Sequence, residues 1–99
     1  MTTLTAIKSL FQLGDIVLTA NAREKLTQTA IDKAHIRHAT GDWGNLCEDD
    51  VNQNALALEQ RLRIFSVYGN GVRRFWIITE ADRSLTTVLL PEDYSGRQS

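Results

Sequence analysis

The chain has one cysteine and one proline among 99 residues, a formal charge of only −1, and apolar runs no more than a few residues long. Each shortage excludes something. A lone cysteine, Cys47, permits no internal disulfide, which removes the framework of a small secreted scaffold. Runs this short cannot cross a bilayer, which takes roughly 20 apolar residues, so no membrane partner is expected. The N-terminus lacks the basic-then-apolar order of a secretory signal, and the cytosol is the expected compartment. A pI near 6.1 means no bulk positive field gathers polyphosphate, so a nucleic-acid role would need a local basic patch.

What is present describes an ordinary folded domain. Hydrophobic residues at 42% and charged residues at 23% match a globular chain, and 99 residues bury one core rather than two. Residues 1–13 read as an N-terminal arm or short helix, 14–94 as a single domain and 95–99 as a mobile polar tail. Within the domain, Ile16-Val17-Leu18-Thr19 has the β-branched character of a short edge strand. A helix capped at Thr19 or Asn21 follows, running to about His35, with Leu26, Ala30 and Ala34 on one stripe beside Ile31. The segment from His35 to Gly44 breaks the periodicity, and two glycines flank Asp42 and Trp43 as in a structured loop.

Glu48, Asp49 and Asp50 open a second helix through about Gln60, where carboxylates suit the positive end of the dipole, and Val51, Ala55 and Leu58 are expected to face inward. From Leu62 the period switches to two. Leu62–Tyr68 and Val72–Thr79 flank Gly69-Asn70-Gly71 as a hairpin, and Leu85–Leu90 supplies a third strand ended by Pro91. The expected fold is therefore α+β: two helices on a three-stranded antiparallel meander, with an extra N-terminal edge strand.

Chemistry-bearing residues concentrate in the connections. His35 and His38 are three apart, a spacing that shares a helix face, but nothing completes a metal site, and no metal or cofactor is expected. Asp42 can bond its own loop while Trp43 fills a groove, or the pair can meet a partner. Arg73 and Arg74 are placed in the hairpin strand on opposite faces and, with Arg61, Arg63 and Arg83, could form a basic stripe or ion-pair with Glu80, Asp82 and Glu92. Phe65, Val67, Phe75 and Ile77 could leave an exposed sheet face for a homodimer.

The stretch His38-Ala-Thr-Gly-Asp-Trp-Gly-Asn-Leu46, then Asp50, Asn54, Ala55, Leu56 and Ile64–Tyr68, and above all the ending Trp76–Tyr94, resembles a family of small proteins carried on bacterial plasmids, phages and other mobile elements. The likeness spans roughly residues 11–94 and departs before His38. It implies a mobile-gene setting such as a plasmid or integron cassette, without a mechanism. Its motif positions here are His38, Gly41, Asp42, Trp43, Gly44, Thr79, Glu80, Asp82, Arg83 and Thr87. A fainter likeness, of architecture and residue type, is to barnase- and RelE-like ribonuclease toxins. That likeness would make His38 the general acid or base, Arg74 or Arg83 the stabiliser of phosphorane charge, and Thr87 a phosphate-positioning group.

The leading expectation is a non-enzymatic interaction module with a protein partner, binding through His38, Asp42, Trp43, Arg74, Asp82, Arg83 and Thr87. Nucleic acid is a less favoured partner, and a metal-independent ribonuclease is the alternative.

Overall fold

A computed structural model describes residues 9–95. The first eight residues of the expected arm and positions 96–99 of the expected tail lie outside the described residues. The class is α+β, but the sheet has four strands in the order β1-β4-β3-β2 and is mixed, not a three-stranded antiparallel meander. Strand β1 (Asp15–Leu18) runs parallel to β4 (Leu85–Leu89), placing Asp15 opposite Leu85. Strands β2 (Ile64–Tyr68) and β3 (Phe75–Thr79) are antiparallel, as are β3 and β4. Periodicity is a local signal and carries no information on which distant strand β1 chooses.

The single helix expected after β1 is two. Helix α1 (Ala20–Lys25) is capped by Thr19, whose hydroxyl accepts from Ala22 N–H at 3.1 Å, and Leu26 then turns to extended geometry. Thr27 caps again, accepting from Ala30 N–H at 3.1 Å, and α2 (Gln28–Ala39) begins. Asn21 caps nothing; its amide donates to Asp93 at 2.7 Å. Helix α2 also runs four residues past His35, so both histidines are helical and the irregular segment shrinks to Thr40–Cys47.

Helix α3 (Glu48–Gln60) has the expected bounds but a different buried face. Asn54 and Ala57 are buried, whereas Val51 and Ala55 are exposed and Leu58 is half-buried. The reason is its position along the outer edge of β2. Asn54 Oδ1 accepts from Phe65 N–H at 3.1 Å and its Nδ2 donates to Phe65 C=O at 2.7 Å, so one side chain occupies the place of a neighbouring strand. The next outward pair is closed by the loop: Val67 N–H donates to Trp43 C=O at 3.1 Å, and Asn45 N–H donates to Val67 C=O at 2.8 Å. An unprotected edge would template pairing with other chains.

The β2–β3 connection is also longer than an Asn-Gly hairpin. Asn70 is extended, with φ −135°, and a 3-10 turn over Gly71–Arg73 follows, so Arg73 and Arg74 lie in the connection and not in β3. Pro91, expected to end the last strand, also opens a short helix, α4 (Pro91–Ser95).

Alternation sorts the sheet into two faces. The inner face carries Ile64, Tyr68, Phe75, Ile77 and Val88, packed with Ala22, Ile31 and Ala34 of α1 and α2. The outer face carries Phe65, Val67, Trp76, Ile78, Thr87 and Leu89. Of the four residues expected to leave a sheet face exposed, Phe75 and Ile77 are therefore buried under the helices, and Val67 on the other face is buried as well. No helix among the described residues is long and apolar enough to cross a membrane.

Replacing Asn54 by alanine strands the Phe65 N–H and C=O at a closed edge. Chemical denaturation is expected to report a loss of about 2 kcal/mol, and a change within about 0.5 kcal/mol, as at an indifferent surface site, would show that water serves that edge equally well.

Candidate functional site

His38 lies in the last turns of α2 with no exposed surface, aimed at the inner face of the sheet. Its Nδ1 is 2.5 Å from Ser66 Oγ on β2 and its Nε2 is 2.9 Å from Thr79 Oγ1 on β3. Thr79 Oγ1 is 2.7 Å from Thr86 Oγ1 on β4, and the Thr86 hydroxyl donates to Leu13 C=O at 2.7 Å. These contacts determine every proton. A carbonyl can only accept, so the single Thr86 hydrogen goes to Leu13 and Thr86 accepts from Thr79. Thr79 has then spent its hydrogen and must accept from Nε2–H. Nδ1 is consequently bare, and Ser66 donates to it.

Chemically, a serine hydroxyl donating to a histidine that a third group orients resembles an activated nucleophile. Access decides against that use. His38, Ser66, Thr79 and Thr86 each have 0% relative exposure, and no substrate atom can approach them. The imidazole is held neutral, its pKa pushed down to about 3 by burial first and by neighbouring His35 second. Phe11 and Trp43 close the site with edge-on rings at 5.3 and 5.8 Å from the imidazole.

Arg83 is also interior, 6% exposed and in left-handed backbone at φ 62°. Its guanidinium meets no carboxylate among the described residues. It donates to the carbonyls of Leu62 (2.6 Å), Ala57 (3.0 Å), Glu80 (3.1 Å) and Ala81 (3.2 Å), and it lies over the Phe11 ring at 5.6 Å. Ala57 is in the final turn of α3, where the dipole favours a cation. Glu80 pairs with Arg63 instead, at 3.2 Å.

The Gly-Asp-Trp-Gly loop is built around its aspartate. Asp42 takes a two-pronged contact from Arg37, at 2.8 and 3.1 Å, and accepts from Gly44 N–H at 3.2 Å. The Arg37 hydrogen bonds hold its carboxyl below the usual range. The Tyr68 hydroxyl donates to Asp42 C=O at 2.8 Å, and burial raises that phenol to about 12. Gly44 has φ +72°, and a Cβ there would lie 2.0 Å from Val67 O, so only glycine permits the loop to bridge β2. Trp43 is half-buried and stacks on Phe11 at 6.4 Å between centroids.

The proposed site residues thus fall into four places. His38, Trp43 and Arg83 converge through Phe11, although His38 and Arg83 are interior. Asp82 sits exposed on the β3–β4 turn, accepting from Ser84 N–H and Oγ–H at 3.0 and 2.6 Å, and the Ser84 hydroxyl lowers its pKa. Thr87 lies on the outer face, in a groove of about 290 Å³ with Arg63, Ile78, Glu80, Leu89 and Tyr94. Arg74 is exposed in the β2–β3 connection. No cleft joins His38, Asp42, Arg74 and Thr87.

Sequence reasoning passed over Ser66, Thr86 and Phe11. Ser66 carried a signal, as the one polar residue at an inward position of an otherwise apolar strand; Phe11 carried one as well, its three-to-four apolar spacing with Ile7 and Leu10, which marks a segment that docks on the domain but not what it touches. His35 is half-buried, and its Nε2 has no hydrogen-bond partner among the described residues. Among the described residues no three His, Cys, Asp or Glu side chains come together as metal ligands. No family model matches the chain, and neither a curated protein nor a solved structure matches it.

Because the folded imidazole resists protonation while an unfolded one titrates near 6.5, the unfolded state binds the extra proton between pH 6.5 and about 3. Stability is fully present above that window and falls as the pH drops through it, by up to about 1.4 kcal/mol per unit. Urea titrations across this range are expected to show the slope, and His38→Gln to flatten it at lower overall stability. A slope undiminished in that variant would assign the effect to His35.

Proposed function

We propose that the chain is a non-enzymatic binding module of mobile-element origin that engages a protein through the surface around the Gly-Asp-Trp-Gly loop. The origin rests on the resemblance of the loop and of the Trp76–Tyr94 ending. The observation carrying the binding surface is an apolar anchor with a charged rim. Leu10 is 54% exposed and lies against Gly41, with half-buried Phe11 and Trp43 behind it. The Arg37–Asp42 pair stands exposed beside them. Interface hot spots have this make-up, an aromatic or aliphatic centre inside a polar border. The β3–β4 turn adds Asp82 and Ser84 to the surface, while Arg83 works from below by holding Phe11.

A ribonuclease reading is weaker. Its general acid or base would be His38, which no solvent reaches, and one of its two candidate phosphate clamps, Arg83, has its donors engaged by four backbone carbonyls.

The test is affinity capture from host lysate with the full chain, using Leu10→Asp as the interface variant and Leu56→Asp, exposed on α3, as the control. A specific protein partner is expected to be lost with Leu10→Asp and kept with Leu56→Asp, at unchanged thermal melts. Partner capture indifferent to Leu10, or cleavage of RNA by the purified chain, would overturn the reading.

A further inference from the structure

The helices α1 and α2 cover the inner face of the sheet, while the outer face carries a band of aromatic rings. Phe65 and Trp76 meet edge-on at 5.2 Å, and Trp76 meets Tyr94 of α4 at 5.5 Å. Phe65 and Trp76 are half-buried and Tyr94 is 40% exposed. Extended backbone runs from Arg74, just before β3, to Glu80, just after it, so alternation gives Arg74, Trp76, Ile78 and Glu80 the outer side, with a cation at one end and a carboxylate at the other; Arg74 also lines a groove at its end of the sheet with Lys25, Val72, Pro91 and Glu92. The Arg74 side chain has no partner among the described residues, although its backbone N–H donates to Gly71 C=O. Among the described residues Glu80 forms one ion pair, with Arg63.

That stripe is self-complementary. A two-fold axis lying between two such faces and perpendicular to the strands superposes position 74 of one copy on position 80 of the other, and 76 on 78. Each Arg74 then meets a Glu80, and each Trp76 faces the groove floored by Ile78 and Leu89, whose volume of about 290 Å³ has room for an aromatic ring. Sheets packed face to face sit about 10 Å apart with their strands nearly aligned, as this arrangement requires. An isologous contact of this kind closes on itself and leaves no open end for polymerisation. A net charge of −1 adds little long-range repulsion between copies.

We propose that the outer face of the sheet is the two-fold interface of a homodimer, with strands of the two copies antiparallel and Arg74 of each copy paired with the partner's Glu80. This surface is separate from the Trp43 patch, so the module would present two partner-binding surfaces per dimer.

Sedimentation equilibrium of the full chain at micromolar concentrations is expected to give about twice the 11.1 kDa monomer mass. Arg74→Glu should return it to the monomer, and Arg74→Glu combined with Glu80→Arg should restore the dimer, because the exchanged charges meet again across the axis. Thr87→Glu, which adds a carboxylate to the groove on the same face beside Glu80, should also give a monomer, with circular dichroism confirming the fold of each variant. A monomeric wild-type chain, a dimer indifferent to Arg74→Glu and Thr87→Glu, or failure of the charge exchange would each overturn the proposal. So would a monomer that instead binds single-stranded RNA through Trp76, followed by its fluorescence.

Discussion

The hydrogen-bond chain running from Ser66 through His38, Thr79 and Thr86 to the Leu13 carbonyl is the constraint on which the rest of this structure depends. It crosses β2, α2, β3 and β4 and ends on the segment that leads into β1, so every layer of the fold contributes one link. Its polarity is enforced by its terminus: a carbonyl cannot donate, and each upstream hydroxyl and the imidazole tautomer follow in turn. Buried polar groups stabilise a fold only when all are satisfied, and here each member has a partner. The same closure that makes the chain a good structural pin makes it a poor catalyst, because protons have nowhere to go and solvent cannot enter.

Phe11 extends this logic to the surface. One ring touches His38, Trp43 and the Arg83 guanidinium, so Phe11 couples the loop after α2 to the β3–β4 turn. Arg83 in turn gathers carbonyls from the end of α3 and from its own turn. A buried cation left unpaired would be strongly unfavourable, and four carbonyl acceptors together with an aromatic face replace the carboxylate that a surface arginine would use. Rigidity at the loop is therefore inherited from the core beneath it.

The two edges and two faces of the sheet are treated differently. The β2 edge is closed by Asn54, Trp43 and Asn45, whereas β1 leaves Ile16 and Val17 at 45% and 40% exposure. The inner face is buried under alanine-rich helices, whose small side chains allow close approach, while the outer face keeps its aromatic rings partly in solvent. Self-association, on this account, uses side chains from the open face and spares the strand edge that the fold protects.

The α+β class, the bounds of α3, the strands ending near Tyr68, Thr79 and Leu89, and the presence of a structured loop at the glycine-flanked tryptophan were all legible from residue order, because propensity, period and turn chemistry act over a few neighbours. The restart at Thr27 was written there too, as a second threonine cap, but a continuous apolar stripe masked it. Residue order alone left the roles of His38 and Arg83 open between surface chemistry and interior support. Only the tertiary structure decided that, since it depends on Ser66, Thr86, Ala57 and Leu62 arriving from 21 to 48 positions away in the chain. The pairing of β1 with β4 and the division of adjacent Thr86 and Thr87 between inner and outer faces were likewise decided by long-range packing, for which local periodicity has no term.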